Sequence, residues 1–426
     1  MRPVLLGVIA DDFTGATDVA GMLVQAGMET LLTIGVPPLG DDVGAALDAD
    51  AVVVALKSRT VAPADAVRES LAALARLQAA GCKRFYFKVC STFDSTPRGN
   101  IGPVAEALLA ALGSDFTIAC PAFPENGRSV YRGHLFVGDA LLSDTGMKDH
   151  PLTPMSDANL VRWLQAQTVL KVGLLRQDAV AAGVDAVTSR IAALRGEGVR
   201  IAIADAISNA DLCTLAAACA DLPLLVAGSG VALGLPVAYA ARGWIEAGVK
   251  AAPLPAVGGH AAVLSGSCSV ATNAQVAHWL QSGRPALRID ALQLAANDPV
   301  AAQALAWADA RLTQGPVLIY ATASADDVKA AQRQLGVERA GALVEECLAQ
   351  IAAGLHERHV RRFVVAGGET SGAVVQALQV QRLRVGASIA PGVPWTQAAG
   401  RPLLLALKSG NFGSVDFFSK ALGLVS

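Results

Sequence analysis

Short apolar runs that end in polar or glycine-rich clusters recur along the whole chain, and most of them precede a segment of helical spacing. Strands that alternate with helices predict parallel sheets covered by helices on both faces. We therefore expect an α/β protein of two α/β domains, each a largely parallel sheet flanked by helices, with a cleft between them. The predicted strands span residues 4–10, 29–34, 51–56, 84–89, 115–120, 169–174, 201–205, 224–228, 261–264, 316–320, 362–366 and 403–407.

Length and composition favour two domains. The chain has 426 residues, of which 53% are hydrophobic and 16% are charged, so it exceeds one ordinary core and can fill two. The clearest composition break lies at residues 243–260, which contain Pro253, Pro255 and a glycine pair. We expect an N-terminal domain at residues 1–245, a linker at 246–260 and a C-terminal domain at 261–426.

Charge and cysteine usage exclude several classes of protein. The net charge is −2 and no basic run occurs, which argues against a nucleic-acid partner. No uninterrupted apolar stretch is long enough to span a bilayer. The first apolar run ends in two aspartates, so we interpret it as the first strand and not as a signal peptide. The seven cysteines are scattered and never spaced as CxxC, which indicates a reducing cytoplasm and no structural zinc.

The densest group of reactive side chains follows the predicted strand at residues 84–89 and precedes a predicted helix at 101–112. It holds Lys88, Ser91, Asp94 and Arg98 in a strand-to-helix loop, where α/β proteins bind ligands. Asp94 can accept a proton or a hydroxyl hydrogen bond, and Arg98 can fork onto a carboxylate or phosphate. Glycines 99 and 102 would let the backbone approach a ligand. The alternative is an ordinary turn and helix cap.

Other strand ends of the N-terminal half carry similar groups. Asp11 and Asp12 follow the first strand, Lys57 and Ser58 follow the third, and Arg128 follows the run at 115–120. Paired carboxylates suit the hydroxyls of a sugar or a magnesium ion, while a helix cap explains only one of them. The threonines at positions 14 and 17 could also cap the helix that follows the first strand. Residues 131–168 lose periodicity and predict an irregular lid or binding loop.

The C-terminal half carries glycine- and serine-rich strand ends, which can offer backbone amides to a phosphate. They match neither the Walker pattern nor the dinucleotide fingerprint, and Lys408 could offset phosphate charge. The three segments are Ser265-Gly-Ser-Cys-Ser269, Gly367-Gly-Glu-Thr-Ser-Gly372 and Lys408-Ser-Gly-Asn-Phe-Gly413.

Five motifs together resemble the four-carbon acid sugar kinase family, in order and over essentially the whole chain. The resemblance implies a sugar-acid-binding N-terminal domain, an ATP-binding C-terminal domain, and magnesium-dependent transfer of the γ-phosphoryl group to the C4 hydroxyl of a four-carbon acid sugar such as 3-oxo-tetronate. The motifs are Ala10-Asp-Asp-Phe-Thr-Gly-Ala-Thr-Asp18, Phe87-Lys-Val-Cys-Ser-Thr-Phe-Asp-Ser-Thr-Pro-Arg-Gly-Asn-Ile-Gly102, His150-Pro-Leu-Thr-Pro-Met155, Gly367-Gly-Glu-Thr-Ser-Gly372 and Lys408-Ser-Gly-Asn-Phe-Gly413.

The resemblance also implies roles for individual residues. The nucleotide contacts it carries over are Ser265, Gly367, Gly368, Glu369, Thr370 and Gly410. The acceptor roles follow from what phosphoryl transfer needs and from the residue types. Arg98 or another cation would hold the substrate carboxylate, Asp11, Asp12 and nearby serines would hold its hydroxyls, and Asp94 or Asp12 would be the base. One departure is the pair Pro97-Arg98, where alanine and lysine are expected, so the cation is kept but the exact acid could differ.

Alternatives to this function remain open at the level of sequence. The acceptor could be threonate, erythronate or a related acid, or the protein could be a sensor of a sugar acid or nucleotide without turnover. A dehydrogenase is disfavoured because the GxGxxG fingerprint and its ribose-binding carboxylate are absent. We expect a small sugar acid and ATP as ligands, no membrane partner, and a homodimer as the possible assembly. The sequence does not identify which residues would bind magnesium.

Overall fold

The computed structural model describes residues 4–38, 49–150, 152–246, 253–296 and 299–425. It divides into two compact units, Met1–Ala252 and Pro253–Ser426. Residues 247–252, which belong to the expected linker, lie outside the described residues. Each unit contains a largely parallel sheet with helices, which confirms the α/β class.

The first unit alternates strands and helices as expected. Its strands are β1 (Leu6–Ala10), β2 (Thr30–Ile34), β3 (Ala51–Ala55), β4 (Arg84–Lys88), β5 (Thr117–Cys120), β6 (Arg128–Tyr131), β7 (His134–Val137), β8 (Ala140–Leu141), β9 (Val172–Leu175), β10 (Ile201–Ala204) and β11 (Leu224–Ala227). Its helices are α1 (Phe13–Gln25), α2 (Pro63–Ala79), α3 (Ile101–Ala111), α4 (Leu160–Gln165), α5 (Gln177–Ala181), α6 (Val184–Gly196), α7 (Asn209–Cys219) and α8 (Leu235–Ala241).

The main sheet of the first unit has the strand order β2-β3-β1-β4-β11-β5-β10-β9, and every pairing in it is parallel. Strands β1, β3, β5, β10 and β11 are buried along their whole length, because helices cover both faces of the sheet. Their residues therefore do not alternate between apolar and polar. Ala10 lies opposite both Ala55 and Lys88, and Ala227 lies opposite Lys88 and Cys120. Five strands therefore end level, and the loops that follow them meet at one edge of the sheet.

The segment predicted as an irregular loop is partly regular, so that prediction was wrong. Strands β6, β7 and β8 form a small antiparallel sheet, and α4 follows. The turn between β6 and β7 is Arg132-Gly133, with φ of 50° and 74°, as a two-residue hairpin turn requires. Asp205 stabilises this turn, since its carboxylate oxygens accept from the backbone N–H groups of Arg132 and Gly133, each at 2.8 Å.

The second unit also alternates strands and helices. Its strands are β12 (His260–Ser265), β13 (Ala286–Arg288), β14 (Val317–Tyr320), β15 (Val360–Ala366), β16 (Arg382–Ala390), β17 (Val393–Ala398) and β18 (Leu404–Lys408). Its helices are α9 (Val270–Gln281), α10 (Ala291–Ala295), α11 (Val300–Asp309), α12 (Ala325–Leu335), α13 (Val337–Glu357), α14 (Gly368–Ala377) and α15 (Phe417–Gly423). Across the described residues, no helix combines the length and the apolar character needed to cross a membrane.

The sheet of the second unit has the strand order β13-β14-β12-β15-β18-β17-β16. The first five strands are parallel, while β17 and β16 are antiparallel, a pair that the sequence did not reveal. Ser265 lies opposite Tyr320 and Ala366, and Ala366 lies opposite Lys408. The glycine-rich segments after β12, β15 and β18 are therefore neighbours at one edge of this sheet.

Candidate active site

In the first unit, one guanidinium group gathers three carboxylates into an acidic cluster, which consists of Asp11, Asp12, Asp94 and Arg59. Arg59 Nε and Nη2 donate to the two oxygens of Asp11 at 3.0 and 2.8 Å, and Nη2 also donates to Asp12 Oδ1 at 2.6 Å. Arg59 Nη1 lies 4.0 Å from Asp94 Oδ2. The side chain of Arg59 is 19% exposed, so these ion pairs are largely shielded from water.

Asp12 has a structural duty in addition to its ion pair. It is the N-cap of α1, and its oxygens accept from the Gly15 N–H at 3.0 Å and from Thr14 Oγ1 at 2.8 Å. The cap is therefore Asp12 and not one of the two threonines that the sequence offered, and Thr14 donates to the capping residue. Although burial acts to raise it, the pKa of Asp12 is lowered by the positive charges of Arg59 and Lys88. Both oxygens of Asp12 are already engaged within the protein.

Asp94 differs from the other two aspartates in having an oxygen to spare. It is buried, and its Oδ1 atom has no hydrogen-bond partner among the residues that the structure describes. It follows Phe93, whose φ is 55°, a backbone conformation that side chains rarely adopt. Its neighbour Ser95 accepts from Trp163 Nε1 and Gln167 Nε2, both at 3.0 Å, and this fixes the loop. Asp94 is thus a rigidly placed carboxylate that can accept a further proton or hydrogen bond.

Asn100 joins the two loops that carry Arg59 and Asp94. Its Nδ2 group lies within hydrogen-bond distance of the carbonyl oxygens of Ser58, Arg59 and Val61, at 2.7, 3.2 and 2.9 Å. Ser58 is buried, and its backbone N–H donates to the Asp11 carbonyl at 2.9 Å. The acidic cluster is therefore held by backbone contacts as well as by its own ion pairs.

The two glycines of the same loop serve packing, so the expectation that they admit a ligand was wrong. A Cβ atom on Gly102 would lie 2.6 Å from the Cβ of Gln167. One on Gly99 would lie 2.8 Å from the backbone nitrogen of Thr96. In both places the space next to the glycine is filled by the chain itself.

A second buried polar group lies around Asp18. Asp18 Oδ2 accepts from Ser229 Oγ at 2.5 Å, its Oδ1 has no partner, and burial raises the pKa of Asp18 to about 6 even though the charge of Lys88 acts to lower it. Lys88 is 2% exposed and donates to the Val89 carbonyl at 2.7 Å. Arg128 is half-buried and donates to the carbonyl of Asn126, while its Nε atom is buried without a partner.

The remaining predicted residues of the first unit are more exposed. Lys57 and Arg98 are exposed and Ser91 is half-buried. Within the described parts of the chain, the Arg98 guanidinium forms no hydrogen bond or ion pair. The structure thus gathers Asp11, Asp12 and Asp94 around one cation, and that cation is Arg59 rather than Arg98.

The second unit contains a cavity of about 340 Å³ beside the glycine-rich segments. Four predicted nucleotide contacts line it, and its other walls come from α12, α13 and the segment after β13. Residues of the wall are Gly266, Ser267, Cys268, Arg288, Ile289, Asp290, Ala291, Ala321, Ala323, Asp327, Val328, Ala331, Gln332, Ala340, Gly341, Val344, Glu345, Gly367, Gly368, Glu369 and Thr370.

Two predicted nucleotide contacts, Ser265 and Gly410, do not line this cavity. Ser265 is fully buried, and its hydroxyl group pairs with Thr322 Oγ1 at 2.6 Å. Gly410 packs tightly, since a Cβ atom on it would lie 2.5 Å from Ser267 Oγ. Both residues therefore support the segments that border the cavity.

Gly367 brings the loop after β15 close to the loop after β12. Its φ is 124°, and a Cβ atom there would lie 3.0 Å from Thr370 Oγ1 and 3.2 Å from the backbone nitrogen of Ser267. It is the N-cap of α14, whose first-turn N–H groups have no partner within the helix. A helix start beside a cavity favours an anionic ligand such as a phosphate.

The Gly367→Ala variant should raise the KM for ATP at least about tenfold, because relieving backbone strain of about 1–3 kcal/mol would displace the amides of α14. Nucleotide titration and circular dichroism would show whether binding is lost while the fold remains. Gly372→Ala on the same helix is the matched control, since nothing lies within 4 Å of a Cβ atom there. Equal nucleotide affinity in both variants would mean that this loop does not contribute to nucleotide binding.

Two family models match the chain in consecutive segments. One, described as a sugar-binding N-terminal domain, matches residues 6–235, and the other, described as a nucleotide-binding C-terminal domain, matches residues 262–418. A 3-oxo-tetronate kinase from Pseudomonas fluorescens is 66% identical over 99% of this chain and 97% of its own length. One from Cupriavidus necator is 65% identical, with the same two coverages.

The chain belongs to the four-carbon acid sugar kinase family. Solved structures agree with this assignment of the family fold. A Salmonella typhimurium chain matches with a TM-score of 0.88 and 43% identity, over 98% of both chains. A Haemophilus influenzae chain matches with a TM-score of 0.79 and 44% identity, over 99% of this chain and 100% of its own.

In this member of the four-carbon acid sugar kinase family, sequence reasoning missed Arg59 and Asn100 as organisers of the site. A signal for Arg59 was present, because it lies in the polar segment Lys57-Ser-Arg-Thr60 after β3, and β3 is a neighbour of β1. Asn100 carried no such signal, since its three contacts are to backbone carbonyls of a distant loop.

Proposed function

We propose that this protein is an ATP-dependent kinase that transfers the γ-phosphoryl group of ATP to the C4 hydroxyl of 3-oxo-tetronate. The observation that carries the proposal is the buried, unpartnered oxygen of Asp94, held beside the guanidinium of Arg59 at the ligand-binding edge of the first unit. The glycine-bordered cavity of the second unit supports ATP as the donor. Relatives named 3-oxo-tetronate kinase at 63–66% identity support the acceptor.

Asp94 is the general base of this proposal. Phosphoryl transfer asks the protein mainly to position the reactants and stabilise charge, while one acceptor group takes the proton from the attacking hydroxyl. Asp12 suits that role less well, because both its oxygens already accept hydrogen bonds. We assign Asp11 and Asp12 to holding Arg59 and to contacting acceptor hydroxyls, with Lys57, Ser58 and Ser91 available at the same edge of the sheet.

The acceptor carboxylate would be bound by Arg128 and Lys88, with Arg98 at the exposed rim. Two observations support this choice over Arg98 alone. Arg128 has a buried Nε donor without a partner, and Lys88 is buried with one hydrogen bond. Arg98 is exposed, so its contact with a carboxylate would compete with water.

Arg128→Ala should therefore raise the acceptor KM by about 10–100-fold, as expected for the loss of a charged hydrogen bond, with a smaller change in kcat. Arg98→Ala is the comparison and should raise the same KM less. Steady-state kinetics on both variants decide between the two cations. A larger effect of Arg98→Ala would reassign the carboxylate to Arg98.

ATP would lie in the cavity of the second unit, with its phosphates near the start of α14 and the glycines at 266, 367 and 368. The described residues contain no cluster of three or more His, Cys, Asp or Glu side chains that could hold a metal ion by themselves. This fits magnesium that enters with the nucleotide, because Mg²⁺ commonly uses phosphate oxygens, water and one or two carboxylates. We propose Glu369, at the start of α14, as a carboxylate ligand of this magnesium ion. The ion would offset phosphate charge.

An ATP-consumption assay across 3-oxo-tetronates, threonates, erythronates and related acids tests the proposed function. We expect ADP release only when magnesium and a four-carbon acid sugar are both present, and fastest with 3-oxo-tetronate. ADP release at the same rate with and without an acceptor would contradict the kinase assignment. Faster turnover of another acid would identify that acid as the substrate in place of 3-oxo-tetronate. We further propose a cytoplasmic enzyme, which the seven free cysteine thiols support.

A further inference from the structure

A completely buried lysine, Lys408, lies at the end of β18 beneath the glycine-rich segments. Its Nζ atom donates to Thr272 Oγ1 at 3.0 Å and to the carbonyl oxygens of Ser409 and Gly410 at 3.0 and 2.9 Å. An ammonium group has three N–H donors, so all of them are engaged. The sequence suggested that Lys408 could offset phosphate charge, and the structure turns its amine into the protein.

The contacts of Lys408 link two segments of the nucleotide site. The Gly410 carbonyl oxygen also accepts from Ser269 Oγ at 2.6 Å and from Thr272 Oγ1 at 2.8 Å. Ser269 caps α9 and follows the cavity-lining Ser267 and Cys268. The ammonium therefore helps to hold the loop after β18 against the loop after β12.

Within the described part of the chain, the surroundings of Lys408 contain polar oxygens but no counter-ion. The elements packed against the end of β18 are β15, β17, α9 and α14, and their titratable groups are Arg361, Arg362, His278 and Glu369. Lys408 forms no ion pair with any described carboxylate. Burial alone lowers the pKa of Lys408 to about 7. Burial therefore favours the neutral amine at this position as pH rises above neutral.

Bound phosphates would change this balance. A polyphosphate beside Ser267 and Gly367 brings negative charge close to the loops that Lys408 joins, within a region of low dielectric constant. Negative charge favours the protonated form of a nearby amine. Linkage then requires that nucleotide binding and protonation strengthen each other.

We propose that Lys408 is a positioning residue of the nucleotide site that takes up a proton when nucleotide phosphates bind, an inference that rests on the proposed binding of ATP to this unit. The neutral amine accepts one proton from the buffer and becomes the ammonium that donates to Thr272, Ser409 and Gly410. Nucleotide affinity is therefore highest below pH 7 and falls as pH rises through the pKa of the free protein. The loss of affinity ends once pH exceeds the higher pKa of the complex.

Calorimetric titration of the full-length protein with ADP and magnesium, in paired buffers of different ionisation enthalpy, measures this proton uptake directly. Wild-type protein should take up a measurable fraction of a proton per ADP bound between pH 7 and 8.5, the range above the lowered pKa of the free protein. The uptake at pH 8.5 is the diagnostic value, because protonation of the ADP phosphates themselves is negligible there.

Variants separate the role of the ammonium from that of its neighbours. Lys408→Met should bind ADP more weakly and lose the proton uptake, whereas Thr272→Val keeps the ammonium and should retain the uptake. Lys420→Met, an exposed lysine on α15 of the same unit, is the matched control and should behave as wild type.

Two results would overturn the inference. Binding of ADP by wild-type protein with no proton uptake between pH 7 and 8.5 would do so even if Lys408→Met fails to fold. Persistence of the full uptake in a folded Lys408→Met protein would assign the proton to another group. Absence of any binding heat would instead contradict the proposed function, and the inference with it.

Discussion

Asp94→Asn should lower kcat by about 10²–10⁴-fold, the usual contribution of a general base, while the acceptor KM changes much less. Asparagine matches the size of aspartate and leaves the Ser95 contacts that fix the loop in place. It cannot accept the proton of the attacking hydroxyl, which the buried Oδ1 atom is free to do. Steady-state kinetics with saturating ATP measure both parameters.

Asp12→Asn is the informative comparison for this prediction. Asparagine is also a good N-cap, so α1 should remain intact, and the oxygens of Asp12 are committed to Gly15, Thr14 and Arg59. We therefore expect a smaller loss of kcat than in Asp94→Asn. Asp115→Asn, on the surface beside Arg195, should leave kcat unchanged. A near-normal kcat in Asp94→Asn with a large loss in Asp12→Asn would transfer the role of base to Asp12.

The sequence predicted the fold class and the edges of the sheets because burial imposes a simple pattern. A parallel strand covered on both faces must be apolar throughout, as β1 and β3 are, so the first polar residue marks its end. Asp11 and Lys88 stand at such ends and are brought together by register alone. The predictions that β4 leads through a polar loop into α3 and that β15 leads through Gly367 into α14 are confirmed for the same reason.

Contacts inside the site depend on side-chain direction and strand order, and local sequence patterns predict neither of them. Arg59 reaches Asp11 across 48 positions of sequence because β3 happens to pair with β1. Ser265 and Lys408 are at predicted strand ends, yet both side chains turn into the protein and bond to their neighbours. Their residue types suggested ligand contacts, whereas burial gives them supporting roles.

The antiparallel strands were missed because their signals are weak. The turn between β6 and β7 uses arginine before glycine instead of the common asparagine or aspartate, and it relies on Asp205, far along the chain, for stability. The pair β16 and β17 contains register shifts, so its side chains do not follow a clean alternation.

Arg59→Met should lower the free energy of unfolding by about 3–5 kcal/mol at pH 8, the cost of removing one partner from a buried ion pair. The guanidinium is the cation in contact with both Asp11 and Asp12, and it faces Asp94. Urea denaturation monitored by circular dichroism gives the value. Arg59→Lys keeps the charge but loses the planar fork, so it should cost less. Arg68→Met, which removes the exposed ion pair with Asp65, should change stability by less than about 1 kcal/mol.

The stability loss in Arg59→Met should shrink as pH falls from 8 to 5. Without the guanidinium, burial and mutual repulsion raise the folded-state pKa of Asp11 and Asp12 above the unfolded value of about 3.9. The folded variant then binds more protons than the unfolded chain, so its stability decreases as pH rises and recovers as pH falls through those raised pKa values. In the wild type, burial raises the pKa of Asp11 even beside Arg59, so the variant raises it further. Burial also acts to raise the pKa of Asp12, but Arg59 and Lys88 lower it, so Asp12 contributes the opposite slope in the wild type. A stability difference that stays constant between pH 5 and 8 would mean that the guanidinium acts through packing and not through its charge.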